Sequence, residues 1–308
     1  MKQFILYFIF IVSFFSFAQP KEVPTPFLEN VVKQFPNVRD IALTKNQDEV
    51  VFSAQSFMGD MSALIACKRV NGIWQAPELI SFSGQYFDIE PFFSKDGLKL
   101  FFASNRPIDA SSNETKDFDI WYVTRKSKLD DWSKPINLGA PINTTMDEFY
   151  PVITDSKNIY FTLDNPKLKQ KDNIYVSEYI NGSYTNPKSL GNEINSDGYE
   201  FNAFVAPDET FIIYTCYNRK DGLGSGDLYL SKKQDDRTWS VATNMGEKIN
   251  SNKMDYCPFV DITSNTLYFT SKRLGNHTKL NSKSIEDLQS IFNQYNNGLS
   301  RLYKVKLD

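Results

Sequence analysis

Ile89-Glu90-Pro91-Phe92-Phe93-Ser94-Lys95-Asp96-Gly97-Leu98-Lys99-Leu100-Phe101-Phe102-Ala103-Ser104 reads as two short strands joined by a tight turn, and weakened copies of it recur along most of the chain. Asp96 and Gly97 supply the turn, because Asp bonds its own backbone and Gly tolerates positive φ. Superposing the copies places Ile41, Pro91, Pro151, Ala203 and Pro258 in one column and Phe52, Phe102, Phe161, Tyr214 and Phe269 in another. The first column is spaced by 50, 60, 52 and 55 residues. That period accommodates one four-stranded sheet per repeat and is too short for separate domains.

Each copy continues alike. A polar loop follows the aromatic strand, then a third strand such as Asp119-Ile120-Trp121-Tyr122-Val123 or Asp227-Leu228-Tyr229-Leu230-Ser231. A short last strand is led by an aromatic, as in Trp132-Ser133-Lys134-Pro135 and Trp239-Ser240-Val241-Ala242. Antiparallel meanders with apolar residues on both faces are unstable alone, and packing them around an axis buries both faces. The fifth copy lacks its last strand, since the chain reaches its end at Arg301–Leu307. Residues Pro24 to Val32 resemble Lys134 to Ile142, the segment leading into the third copy. An N-terminal strand is therefore expected to complete the last blade. The expected fold is all-β: a five-bladed β-propeller of four-stranded antiparallel blades, closed by that strand and carrying one short helical insertion. A sixth blade would need a further repeat before residue 37, where there is too little chain.

The run Ser94-Lys95-Asp96-Gly97 with Leu100, Phe102, Ser104 and Arg106, followed by Asp119-Ile120-Trp121, resembles the TolB-type, WD-like β-propeller repeat of exported bacterial proteins. The fourth copy shares it through Pro207-Asp208-Glu209, Asn218-Arg219 and Asp227-Leu228-Tyr229. The third and fifth keep the strands and lose the Asp-Gly turn, and the first departs furthest. The resemblance covers nearly the whole chain and implies a partner-binding role, on a fold that also serves scaffolds and several enzyme classes.

Met1-Lys2, an apolar run from Phe4 to Phe17 and the small-x-small site Ser16-Phe17-Ala18 read as a signal peptide over residues 1–18, followed by a single propeller domain over 19–308. The run is too short to span a bilayer, and no later stretch approaches one. The expected location is periplasmic or extracellular. No cysteine follows the run, which leaves no lipidation point. Cys67, Cys216 and Cys257 are odd in number, and we read them as buried thiols rather than bridges, against a conceivable Cys216–Cys257 link. The net charge is -3, from 34 basic and 37 acidic side chains, which gives no electrostatic case for nucleic acid or anionic membrane. The expected partner is an envelope protein or a glycan, with the chain monomeric or part of a hetero-assembly.

Acidic residues gather where the inner strands begin: Asp88 and Glu90, Asp147 and Glu148, Asp197 and Glu200, and Asp255, accompanied by Tyr86, Tyr150, Tyr199 and Tyr256. Inner strands face the axis. The candidate ligand-binding set is Asp88, Glu90, Asp147, Glu148, Tyr150, Glu200, Asp255, Tyr256 and Arg273, of a chemistry that suits a sugar, a peptide, a basic partner or a channel cation such as calcium. No cofactor and no catalytic residue is assigned, because a carboxylate repeated in four copies reads first as turn and capping chemistry. The alternative is a secreted glycoside hydrolase or polysaccharide lyase, which needs two of these carboxyl groups facing each other across an open pocket.

Arg106 with Asp119 and Arg219 with Asp227 recur at matching places and are expected to pair as braces, while Arg273 meets Arg301 in the acidic column. His277 is the single histidine, on a polar loop. Gly222-Leu223-Gly224-Ser225-Gly226 joins two strands and opens no helix, so it reads as a hairpin loop rather than a phosphate loop. In the insertion, about residues 274–299, Ser284 precedes Ile285, Leu288, Ile291, Phe292 and Tyr295 at helical spacing. This helix is expected to pack its stripe on the propeller. The remaining hairpin loops, polar and rich in Asn and Ser, should emerge on the same face as the helix.

Overall fold

The computed structural model describes residues 22–109, 111–112, 114–168, 172–275 and 282–307. The signal-peptide reading of residues 1–18 and the loop histidine His277 lie outside them.

Five antiparallel blades of four strands form the ring, and in blade one the short strand Ile73–Trp74 pairs in addition with the end of the third strand. Their inner strands are Asn37–Leu43, Asp88–Phe93, Asp147–Ile153, Tyr199–Val205 and Asp255–Asp261, in blades one to five. The second and third strands follow in chain order. The outer strands are only two residues long: Glu78–Leu79, Ile136–Asn137, Lys188–Ser189 and Thr243–Asn244 in blades one to four. In blade five the outer strand is Thr25–Pro26, registered with Thr25 opposite Lys304 and Pro26 opposite Tyr303. Phe27 N–H then donates to Leu302 C=O at 2.9 Å, so the ring closes through the N-terminal segment as the sequence implied.

Phe52, Phe102, Phe161, Tyr214 and Phe269, one from each second strand, are all buried to within 1 %. Burying each aromatic ring stabilises the fold by about 1.5–3 kcal/mol. The seams between blades carry polar clasps on the face where the first and second strands turn. Arg125 forks onto Glu49 at 3.2 and 2.6 Å between blades two and one, and Lys95 reaches Asp155 at 2.8 Å between blades two and three. Between blades three and four, Glu209 accepts from Thr154, Ser156, Asn158, Tyr160 and Lys233.

The packing of the inserted helix and the pairing of the arginines depart from expectation. Helix α1 (Glu29–Val32) is a single turn after the closing strand. Helix α2 (Ile285–Phe292) forms, with Ser284 Oγ accepting from Asp287 N–H, but none of its residues is buried. Ile285 and Phe292 are 69 % and 56 % exposed. The segment is anchored instead by Tyr295 beyond it, whose hydroxyl donates to Leu302 C=O at 2.6 Å. The Arg braces also differ. Arg106 pairs with Asp88 at 2.6 Å and Arg273 with Asp255 at 2.9 Å, so Arg273 keeps an acidic partner. Asp119 is held by Lys116 and Asn137, Arg219 by Asp221, and Asp227 caps the Leu223 and Gly224 N–H groups. The reason is register: Ser104 lies opposite both Asp88 and Asp119, and Arg106, bonded to Ser104 Oγ, folds toward the inner strand.

All three cysteines are free and buried. Among the described residues no helix is long and apolar enough to cross a membrane.

Candidate functional site

Every inner strand breaks register at the same place, between Arg39 and Ile41, Ile89 and Phe92, Phe149 and Val152, Phe201 and Phe204, and Tyr256 and Phe259. The bulged residue is left-handed in each: Asp40, Glu90, Tyr150, Asn202 and Cys257, with φ of 55°, 59°, 51°, 49° and 52°. A side chain with a Cβ adopts this backbone at a cost of about 1–3 kcal/mol unless the surroundings enforce it. Five copies of one bulge therefore deliver five unlike side chains toward the axis.

They form one network. Arg39 donates to Asp40 Oδ1 at 2.8 Å and to Glu90 Oε1 at 2.7 Å. Glu90 also accepts from Asn202 Nδ2 at 2.8 Å and from the Tyr150 N–H at 2.8 Å, and its own N–H donates to Asp40 Oδ2 at 3.2 Å. Cys257 Sγ lies 3.3 Å from both Asn202 Oδ1 and Arg39 Nη2. The guanidinium stands 5.1 Å from the centre of the Tyr256 ring. Burial, together with the charge of Asp40, pushes the Glu90 carboxyl up to about 7 against the opposing pull of Arg39. Burial raises the Cys257 thiol well above its ordinary value, so it stays protonated. Beside this network, Ile41, Pro91, Pro151 and Pro258 help enclose a void of about 10 Å³, room for one water and no more. Arg39 bridges the Asp40 and Glu90 carboxylates, which are buried, while its own side chain stays 19% exposed. No group of three or more His, Cys, Asp or Glu side chains suited to hold a metal ion occurs among the described residues.

The sequence-predicted residues divide between this network and the blade seams. Glu90 and Tyr150 belong to the axis, and Tyr256 lies under Arg39. Asp88, Glu148, Glu200 and Asp255 share the column two residues before the bulge and accept hydrogen bonds from Ser83, Thr144, Ser196 and Ser251. Arg106 and Arg273 add to the first and last of these. Asp147 accepts from the Phe118 N–H at 2.8 Å. Burial drives the Glu148 carboxyl up to about 8, helped by Asp119 and Asp117 and opposed by Thr144. Arg39, Asp40, Asn202 and Cys257 escaped the sequence reading. The signal for Asp40, Asn202 and Cys257 was the column immediately before Ile41, Pro91, Pro151, Ala203 and Pro258, and Arg39 stands one place earlier.

Open space lies off the axis, on the face where the second and third strands are joined by loops. There a groove of about 530 Å³ runs over the seam of blades one and two. Phe35 and Pro36 flank one side, Gln55, Ser56 and Asp60 come from the first-blade hairpin, and Gln85, Tyr86, Phe87, Asn105 and Thr115 come from the second blade. The groove sits at the stems of two hairpin loops, where a rigid scaffold presents variable chain.

Neither a protein-family model nor a curated protein matches the sequence. Solved structures do match in shape. A thermostable family-43 glycoside hydrolase superposes with a TM-score of 0.53 at 12% identity, covering 88% of this chain and 89% of that one. The catalytic domain of the GH62 α-L-arabinofuranosidase of Coprinopsis cinerea gives 0.51 at 9% identity, covering 94% and 95%. TolB of Acinetobacter baumannii gives 0.48 at 13% identity, with 88% of this chain matched and 55% of TolB spanned. The likeness is one of fold. It places this chain among propellers and leaves its chemistry to its own residues.

Proposed function

We propose that this chain is an exported, non-catalytic β-propeller of the TolB-type repeat class, which binds an envelope protein or a glycan on its loop face. One observation carries the reading: the axis is filled by the Arg39–Glu90 network, while the accessible groove, about 530 Å³ in volume, lies over the blade-one and blade-two seam. That volume falls within the range of about 300–1,000 Å³ usual for ligand sites. Among the described residues the groove is lined by a single carboxylate, Asp60, and by no histidine, cysteine or lysine, so these residues do not supply the paired acid and base that hydrolysis requires. Export rests on the N-terminal signal pattern of the sequence.

The test is affinity electrophoresis through gels containing plant polysaccharides or purified peptidoglycan, with reducing-sugar release measured in parallel. Retardation without sugar release, lost on Asn105→Trp, is the expected result. Sugar release abolished by Glu90→Gln would overturn the reading.

A second reading has its own observation. Glu90, held up to about 7 by burial, stands beside Asp40, whose Oδ2 accepts from the Glu90 N–H at 3.2 Å, and carbohydrate hydrolysis uses two neighbouring carboxyl groups. This glycoside-hydrolase reading requires Arg39 to leave the axis so that a sugar can reach Glu90. It predicts that Arg39→Ala creates or enhances hydrolysis, whereas the binding reading predicts only a loss of stability.

A further inference from the structure

Resting on the loop-face reading, we infer that the ligand of the blade-one and blade-two groove is a neutral oligosaccharide rather than an anionic glycan or an extended peptide. Charge supplies the first argument. None of the described residues lining the groove is a lysine, arginine or histidine, and Asp60 is the one carboxylate among them. Arg106 lies close, 5.6 Å from the Tyr86 ring, but its charge is buried and committed to Asp88 at 2.6 Å. Among the described lining residues an anionic sugar would meet a carboxylate and no free cation, an arrangement that selects against it.

Unused hydrogen-bonding capacity supplies the second. The Gln55 amide makes no hydrogen bond within the described protein, and Asn105 uses only its Oδ1, which accepts from the Phe87 N–H at 3.0 Å. Asp60 Oδ1 is engaged by Ser56, which leaves Oδ2 available. Amides offer donors and acceptors together, as a sugar hydroxyl does, and a carboxylate accepts from two neighbouring hydroxyls. The half-buried rings of Phe35 and Tyr86 add apolar faces of the kind that pack against the C–H side of a pyranose, with the Tyr86 hydroxyl as a polar handle.

The third argument separates sugar from peptide. Extended peptides gain affinity by adding a strand to a free edge. The strands beneath the groove are already paired, with Gln55 opposite Ser62 and Ala54 opposite Ala63. Beyond them, Leu64 N–H donates to Ser83 Oγ and Leu64 C=O accepts from Ile80 N–H. The groove therefore presents side chains rather than a main-chain ladder.

Isothermal titration with xylohexaose, cellohexaose and mannohexaose, against oligogalacturonate of equal length, tests the inference. Binding of at least one neutral hexasaccharide is expected, with Kd at least tenfold lower than for the acidic one, and with affinity reduced at least tenfold by Tyr86→Ala and by Gln55→Ala. Asp60→Asn should narrow the discrimination against oligogalacturonate. Thermal unfolding of each variant, unchanged from the parent, shows that the loss lies in binding. Groove-dependent retention on peptidoglycan without binding of any neutral hexasaccharide would overturn the neutral-oligosaccharide inference while leaving the loop-face reading intact. Retention unaffected by Asn105→Trp, Tyr86→Ala and Gln55→Ala would overturn both.

Discussion

Arg39 and Glu90 meet across the propeller axis at 2.7 Å, Nη2 to Oε1, joining the inner strands of blades one and two at a point where neither side chain follows ordinary strand alternation. Glu90 is left-handed and bulged, and Arg39 immediately precedes the bulge of its own strand. The pair is therefore a product of the repeated bulge, and its removal should be felt throughout the ring.

Arg39→Ala strands Asp40 and Glu90 without a counter-charge. Breaking a buried pair on one side costs about 3–5 kcal/mol, read as a lower urea midpoint at an unchanged slope. Glu90→Gln keeps the bonds from Arg39 and Asn202 through its amide oxygen but turns its NH2 toward the Tyr150 N–H, which loses its acceptor, and should cost less than Arg39→Ala because no unpaired charge is left on Glu90.

Glu209 clasps blades three and four. Burial by itself would raise its carboxyl, but hydrogen bonds from Ser156, Lys233 and Tyr160 bring it down to about 2, from 4.5. A depressed folded-state value means that the stabilisation is present above the ordinary pKa and is lost as pH falls from about 5 toward 2. At one pKa unit per 1.36 kcal/mol this drop is worth about 3 kcal/mol at neutral pH, and solvent screening at a partly exposed ion pair brings the contribution to about 2–3 kcal/mol. Glu209→Gln should lower stability at pH 7 by that order and flatten the acid limb of a pH-stability curve.

Glu148 acts with the opposite sign. Its carboxyl is raised to about 8 by burial, so the stabilisation of the protonated form is complete below about pH 4.5 and fades as pH rises through 8. Glu148→Gln should flatten the alkaline limb. Urea titrations at pH 6 and pH 9 check this, and equal slopes for parent and variant would refute it.

Closure of the ring depends on Phe27, which is buried, with its ring 4.9 Å from Tyr268, and donates its N–H to Leu302. Phe27→Ala should cost about 3–5 kcal/mol as a large-to-small core change. Ile285→Asp on α2, a solvent-facing site, should fall within about 0.5 kcal/mol of the parent. Thermal melts of the two variants compare closing strand and helix directly.

How much was legible followed from which interactions are local. The aromatic column of Phe52, Phe102, Phe161, Tyr214 and Phe269 and the Asp96-Gly97 turn announce themselves through period and turn chemistry. The likeness of Pro24 to Val32 to Lys134 to Ile142 carried the closure. The Ser284 cap was visible because it satisfies Asp287 three residues on, but where Ile285 and Phe292 point depends on distant surface that no local pattern encodes. Asp40, Asn202 and Cys257 were hidden because a bulge moves one residue out of alternation, and nothing in an isolated strand marks it. Arg106 was matched to Asp119 rather than Asp88 because Ser104 neighbours both, and only the three-strand register decides between them.

The most direct measurement of the central claim is a structure determined with a bound neutral hexasaccharide. Sugar density is expected over the blade-one and blade-two seam, against Tyr86 and within hydrogen-bond reach of Gln55 and Asn105, with the Arg39–Glu90 contact intact. Density at the axis, with Arg39 displaced and a sugar ring beside Glu90, would contradict it.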